Sequence, residues 1–97
     1  MAKMDKIISD IIEFRNSRGW EKNDNPKSLA KSIAIESAEL LTNFQWGEAS
    51  YSFENIKDEI ADILIYTLAL SYDLNLDFEE LIYQKLQKNS IKYPKSK

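Results

Sequence analysis

Four acids stand in two pairs of equal spacing, Glu36 with Glu39 and Glu59 with Asp62. Residues three apart on a helix neighbour one another on adjacent turns, so two such helices side by side bring four carboxylates together. Taken singly, a helical Glu or Asp is a solvated surface charge. These four are placed differently. On a wheel of about 100° per residue, Glu36 falls inside the apolar stripe of Leu29, Ile33 and Leu40, with Glu39 beside it. Asp62 is the one charge in the apolar run 60–70, on a helix apolar nearly all round, so it has little access to bulk water. No Lys or Arg stands three or four residues from Glu36 or Asp62. Buried carboxylates without such a partner are costly, and converging ones call for a cation. The chain has no His and no Cys, so the fitting ion is a hard, oxygen-loving one, Mg²⁺ or Mn²⁺.

The same absences narrow the chemistry. Without histidine the commonest general base is missing, and without cysteine there is no thiolate nucleophile, disulfide or sulfur-ligated zinc. Any catalysis rests on carboxylates, Lys, Tyr, hydroxyls or a hard metal. A net charge of −3 offers no field for a nucleic-acid polymer, and an acidic protein that handles phosphates needs a cation between them. Ninety-seven residues make one domain, 1–97, with a core small enough to profit from burial against a second copy. No apolar stretch reaches the roughly 20 residues that cross a bilayer, so no membrane partner is expected. The N-terminal segment carries acids within its apolar pattern and does not read as a signal peptide, and a cytoplasmic location is the expectation.

The elements that must position the acids are helices. Apolar residues recur at helical spacing in four segments, with no sustained strand alternation, so the fold class is all-α and four-helix-bundle-like. The first helix is expected from Lys3 to about Ser17, stopped by Gly19. Asn25-Pro26 supplies an N-cap and a proline for a second, to about Phe44. Ser52 caps a third, Phe53 to about Tyr72. Asp77 and Glu80 form a capping-box-like start for a fourth, Phe78 to about Ser90. On the third helix Ile56, Ile60, Ile63, Thr67 and Leu70 form the core stripe, with Glu59 at its edge. Ala61, Ile65 and Leu68 lie opposite, which predicts a homodimer or a dimer of dimers with this helix central.

These residues carry a resemblance. Glu36-Ser-Ala-Glu39 followed by Glu59-Ile-Ala-Asp62 resembles the ExxE…ExxD signature of the MazG-like and dCTP pyrophosphatase family. Arg18-Gly19-Trp20 is similar to its RxW turn, Asn25-Pro26 to its loop before the second helix, and Phe44-Gln45-Trp46 to its FQW segment. Asp62-Ile63-Leu64-Ile65-Tyr66 resembles its DVLIY run, and Lys85 with 89–94 its closing K…N…YP pattern. Two departures stand out. Relatives often carry an acid where this chain has Gly19, and some carry histidine where it has Asp24, so the resemblance does not fix base or sugar preference.

The resemblance implies Mg²⁺-dependent hydrolysis of a nucleoside triphosphate between its α and β phosphates, giving the monophosphate and pyrophosphate in nucleotide-pool house-cleaning. It implies Glu36, Glu39, Glu59 and Asp62 as metal ligands and catalytic residues; Glu39, nearer the edge of the apolar stripe, is favoured over Glu36 as general base. Lys85 and Lys92 become candidates for the phosphate tail, Trp20, Trp46 and Tyr66 for stacking on or enclosing the base, and Asn89 for a base edge. Tyr93 belongs to the same closing pattern. A di-iron or di-manganese bundle would need Glu-x-x-His motifs, which are absent. A non-catalytic helical dimerisation module accounts for the apolar third helix but not for the buried acids.

Overall fold

The structure, a computed structural model, describes residues 3–45 and 52–96. Four helices follow one another, α1 (Lys3–Ser17), α2 (Pro26–Thr42), α3 (Phe53–Asp73) and α4 (Phe78–Lys92), with one 3₁₀ turn, Trp20–Lys22, before α2. There is no strand among the described residues. None of these helices is long and apolar enough to cross a membrane. The ends are set by local chemistry. Gly19 takes a left-handed backbone (φ 70°) and its N–H donates to the Asn16 carbonyl, closing α1. The Asn25 Oδ1 accepts from the Ser28 N–H at 2.8 Å while the Ser28 hydroxyl accepts from the Asn25 N–H at 3.0 Å, a reciprocal cap. Ser52 Oγ caps α3 through the Asn55 N–H at 3.2 Å. At α4 the expected box is half made. Asp77 accepts from the Glu80 N–H, but the Glu80 carboxylate turns to Gln84 instead.

The second pair of acids is delivered by α3 packing along α2, and α1 also lies against α3. Asn43, buried at the end of α2, fixes that hairpin. Its amide nitrogen donates to the Glu39 and Leu40 carbonyls and its oxygen accepts from Asn55 at 3.0 Å, which joins the end of α2 to the start of α3. Among the described residues Ile12, Leu29, Ala69 and Phe78 are the buried apolar side chains, and Leu29, at 2 % exposed, is the most enclosed.

That core is thin, and the reason is α4. Beyond the buried Phe78 it makes no extended contact with the other helices, and Leu81, Ile82, Tyr83 and Leu86 lie open. On α3, Ile60, Leu64 and Ile65 are also uncovered, with Leu64 55 % exposed. The radius of gyration is 16.2 Å, against about 13 Å for a close-packed chain of this length. The four helices are as expected, but a single chain leaves them ajar.

Candidate active site

The α2–α3 hairpin brings Glu36, Glu59 and Asp62 together, with one carboxylate oxygen from each lying within 4.8 Å of the others. Glu39 is exposed, one turn further along α2, outside that trio. The burial order differs from the helical-wheel expectation. Glu59, placed at the edge of the stripe, is buried, and Glu36, placed inside it, is half-buried. Asp62 is the most open of the three, against the expectation from its apolar run. The cause is the side of α3 that faces inward, which carries Glu59, Tyr66 and Ala69 rather than Ile60 and Thr67.

Glu59 Oε2 is enclosed and has no hydrogen-bond partner. A buried carboxylate oxygen left unpaired is costly, and two further carboxylates face it. The Glu36 carboxyl is held above the ordinary carboxylate range, first by a hydrogen bond with Glu59, then by burial and by the charges of Glu59 and Asp62, while Glu39 pulls the other way. An all-oxygen donor set with an unsatisfied buried member fits a hard divalent cation. Glu36, Glu59 and Asp62 are the residues that would hold it, with Glu39 adjacent.

The raised Glu36 group has a measurable consequence. A folded-state pKa above the unfolded one gives stability that is fullest below the unfolded pKa and is lost as pH rises through the folded pKa. At pH 8 the metal-free protein therefore carries the full repulsion. Glu36→Gln should leave the protein in EDTA as stable as wild type or more so, and excess Mg²⁺ should narrow or reverse that advantage. Urea unfolding of both proteins at pH 8, with EDTA and with Mg²⁺, reads this. A clear loss of stability in EDTA would mean that Glu36 makes a structural bond instead.

Beside Asp62 opens a cavity of about 480 Å³, lined by Phe14, Trp20, Leu29, Tyr66 and Ala69 among others. Trp20 packs edge-on against Phe14 with ring centroids 5.8 Å apart. The Tyr66 hydroxyl is pushed up by burial and by the charges of Glu36, Asp62 and Asp24. Trp20 and Tyr66 both line this cavity, while Trp46 lies outside the described residues. Lys85, Asn89, Lys92 and Tyr93 are not brought to the cluster within one chain. They sit on or just after α4, none lines this cavity, and Lys92 lies over the Tyr93 ring.

Two residues at the cavity were given no role by the sequence. Arg15 is buried there and makes a bidentate pair with Asp73 at 2.8 and 2.9 Å, with Asp24 3.6 Å away. Arg15 lies among Ile8, Ile11 and Ile12 on the apolar side of α1, and a charge inside an apolar stripe is the signal that would have found it. Asp24 stood out only as a departure from the family pattern, and its polar loop gave no sign of a place at the cavity.

Comparison with known proteins agrees with this geometry. The profile of the MazG-like family matches residues 31–97. The chain is 31% identical to dCTP pyrophosphatase 1 of Bos taurus and 30% to that of Homo sapiens, each match covering 84% of this chain. It spans about half the length of these curated relatives, 54%. A crystal structure of a pyrophosphatase from Archaeoglobus fulgidus superimposes with a TM-score of 0.86 at 40% identity, covering 98% of this chain and 95% of that one. With the paired acids, the α2–α3 hairpin and the profile match in agreement, this chain belongs to the MazG-like family.

Proposed function

We propose that the chain hydrolyses nucleoside or deoxynucleoside triphosphates between the α and β phosphates, releasing the monophosphate and pyrophosphate, as a cytoplasmic enzyme of nucleotide-pool house-cleaning. The observation that carries this reading is the enclosed, unpartnered Glu59 oxygen in a cluster with Glu36 and Asp62, the last of which lines an aromatic cavity. A Mg²⁺ ion held by those carboxylates supplies neutralisation of the triphosphate and a more acidic water. The residues do the rest. Glu59 and Asp62 fix the geometry from α3, Glu36 completes the set from α2, and Glu39, free of the trio, takes the proton of the attacking water on a carboxylate oxygen. Trp20 and Tyr66 enclose the base and exclude water from it.

Lys85, Asn89, Lys92 and Tyr93 enter this scheme only in an assembly, because α4 stands away from the carboxylates of its own chain. The uncovered faces of α3 and α4 support a homodimer or a dimer of dimers. Light scattering at micromolar concentration should give at least twice the 11.3 kDa chain mass, and a monomer would overturn that part of the scheme.

The activity is tested by separating the products from a panel of ribo- and deoxynucleoside triphosphates in Mg²⁺, Mn²⁺ and EDTA. Pyrophosphate and monophosphate should appear in either metal and vanish in EDTA. Release of orthophosphate, or no product from any substrate, would defeat the reading.

A further inference from the structure

The cavity beside Asp62 has a polar side as well as an aromatic one. Apart from Asp62, its charged lining is Asp10, Arg15 and Asp24. Asp10 is exposed and paired with Lys6 at 2.8 Å. Both terminal nitrogens of Arg15 are committed to Asp73. Asp24 is different. Its side chain is 27 % exposed and its one ion-pair contact, to Arg15, is long at 3.6 Å, so the arginine holds it at the cavity without saturating its oxygens. A carboxylate accepts hydrogen bonds and donates none.

That one-sidedness discriminates between bases. Cytosine, adenine and guanine present an exocyclic amino group, which can donate to Asp24. Uracil and thymine present a single ring N–H flanked by two carbonyl oxygens, which would face the carboxylate with like partial charge. Resting on the hydrolase reading for the orientation of the nucleotide, with the triphosphate at Asp62 and the base in the cavity, the geometry points to Asp24 as the specificity-determining residue, selecting bases that carry an exocyclic amino group over uracil and thymine.

The minimal pair is dCTP and dUTP, which differ only in the group at position 4 and the proton on N3. Calorimetry with their non-hydrolysable α,β-imido analogues in Mg²⁺ reads binding independently of turnover, and kcat/KM for the natural nucleotides is measured alongside. Wild type should bind the cytosine analogue at least about tenfold more tightly, since a site that hydrogen-bonds an amino group rejects the analogue lacking it. Asp24→Asn keeps the shape but offers a donor to the uracil carbonyl, so the preference should fall to about threefold or less, mostly by tighter uracil binding. A merely structural role for Asp24 would weaken both analogues equally and leave their ratio unchanged, which overturns the inference. Equal binding of the two by wild type, or binding of neither, also overturns it. A preserved preference with no turnover of either nucleotide would remove the hydrolase reading and leave Asp24 as the base selector.

Discussion

Asp62→Asn is expected to lower kcat/KM for every triphosphate substrate by on the order of 10³-fold while the protein stays folded. Asparagine keeps the volume and one oxygen but removes a full negative charge from the set that shares the ion. Loss of several kcal/mol of transition-state charge stabilisation corresponds to about that factor, at roughly 1.4 kcal/mol per tenfold. Folding should survive because Asp62 is the most open of the three carboxylates and no ion pair depends on it among the described residues. Calorimetric melting supplies the control. Millimolar Mg²⁺ should raise the melting temperature of wild type and have less effect on the variant, because an ion stabilises only the state that binds it. A folded Asp62→Asn protein with wild-type turnover would remove the carboxylate site, and a wild type indifferent to Mg²⁺ would point to the helical interaction module.

The helix boundaries were legible because they depend on neighbours in sequence. Asn25, Ser52, Asp77 and Gly19 act on backbone groups within a few residues; α2, α3 and α4 start, and α1 ends, where those residues predict. The paired spacing of Glu36 with Glu39 and Glu59 with Asp62 was equally visible. Which acid lies deepest was not. An apolar stripe says that a helix has an inner face, but on α3, apolar nearly all round, two faces compete, and the flank with Glu59, Tyr66 and Ala69 won. The stand-off of α4 was hidden for a related reason. The apolar pattern of Leu81, Ile82 and Leu86 marks a helix face to be covered and carries nothing about whether its own chain covers it. The Arg15–Asp73 pair joins positions 58 residues apart, beyond the reach of any local spacing rule.

That pair ties the end of α3 to α1 and should contribute to stability. Asp73 is the final residue of α3, where a negative charge opposes the helix dipole, and the last turn of α3 holds no basic residue to offset it. Arg15 supplies the compensation from α1, and the hydrogen bond with Asp73 is the first cause holding the guanidinium pKa above its ordinary value, so the arginine stays charged throughout the working range. Its side chain is 10 % exposed and that of Asp73 is 22 %, so water screens the pair little. Arg15→Met fills a similar volume without the charge and leaves Asp73 unpaired at the wrong end of a helix. The expected cost is about 2 kcal/mol, below the range for fully buried pairs because Asp73 retains some access to water. For a domain of this size that corresponds to roughly 10 °C in melting temperature, compared at fixed protein concentration because assembly contributes. Adding Asp73→Leu to Arg15→Met removes the stranded carboxylate and should recover at least half of the loss, whereas independent roles would make the two losses add. Melting of Arg15→Met within about 2 °C of wild type would show that the pair adds nothing to the seating of α1 on α3.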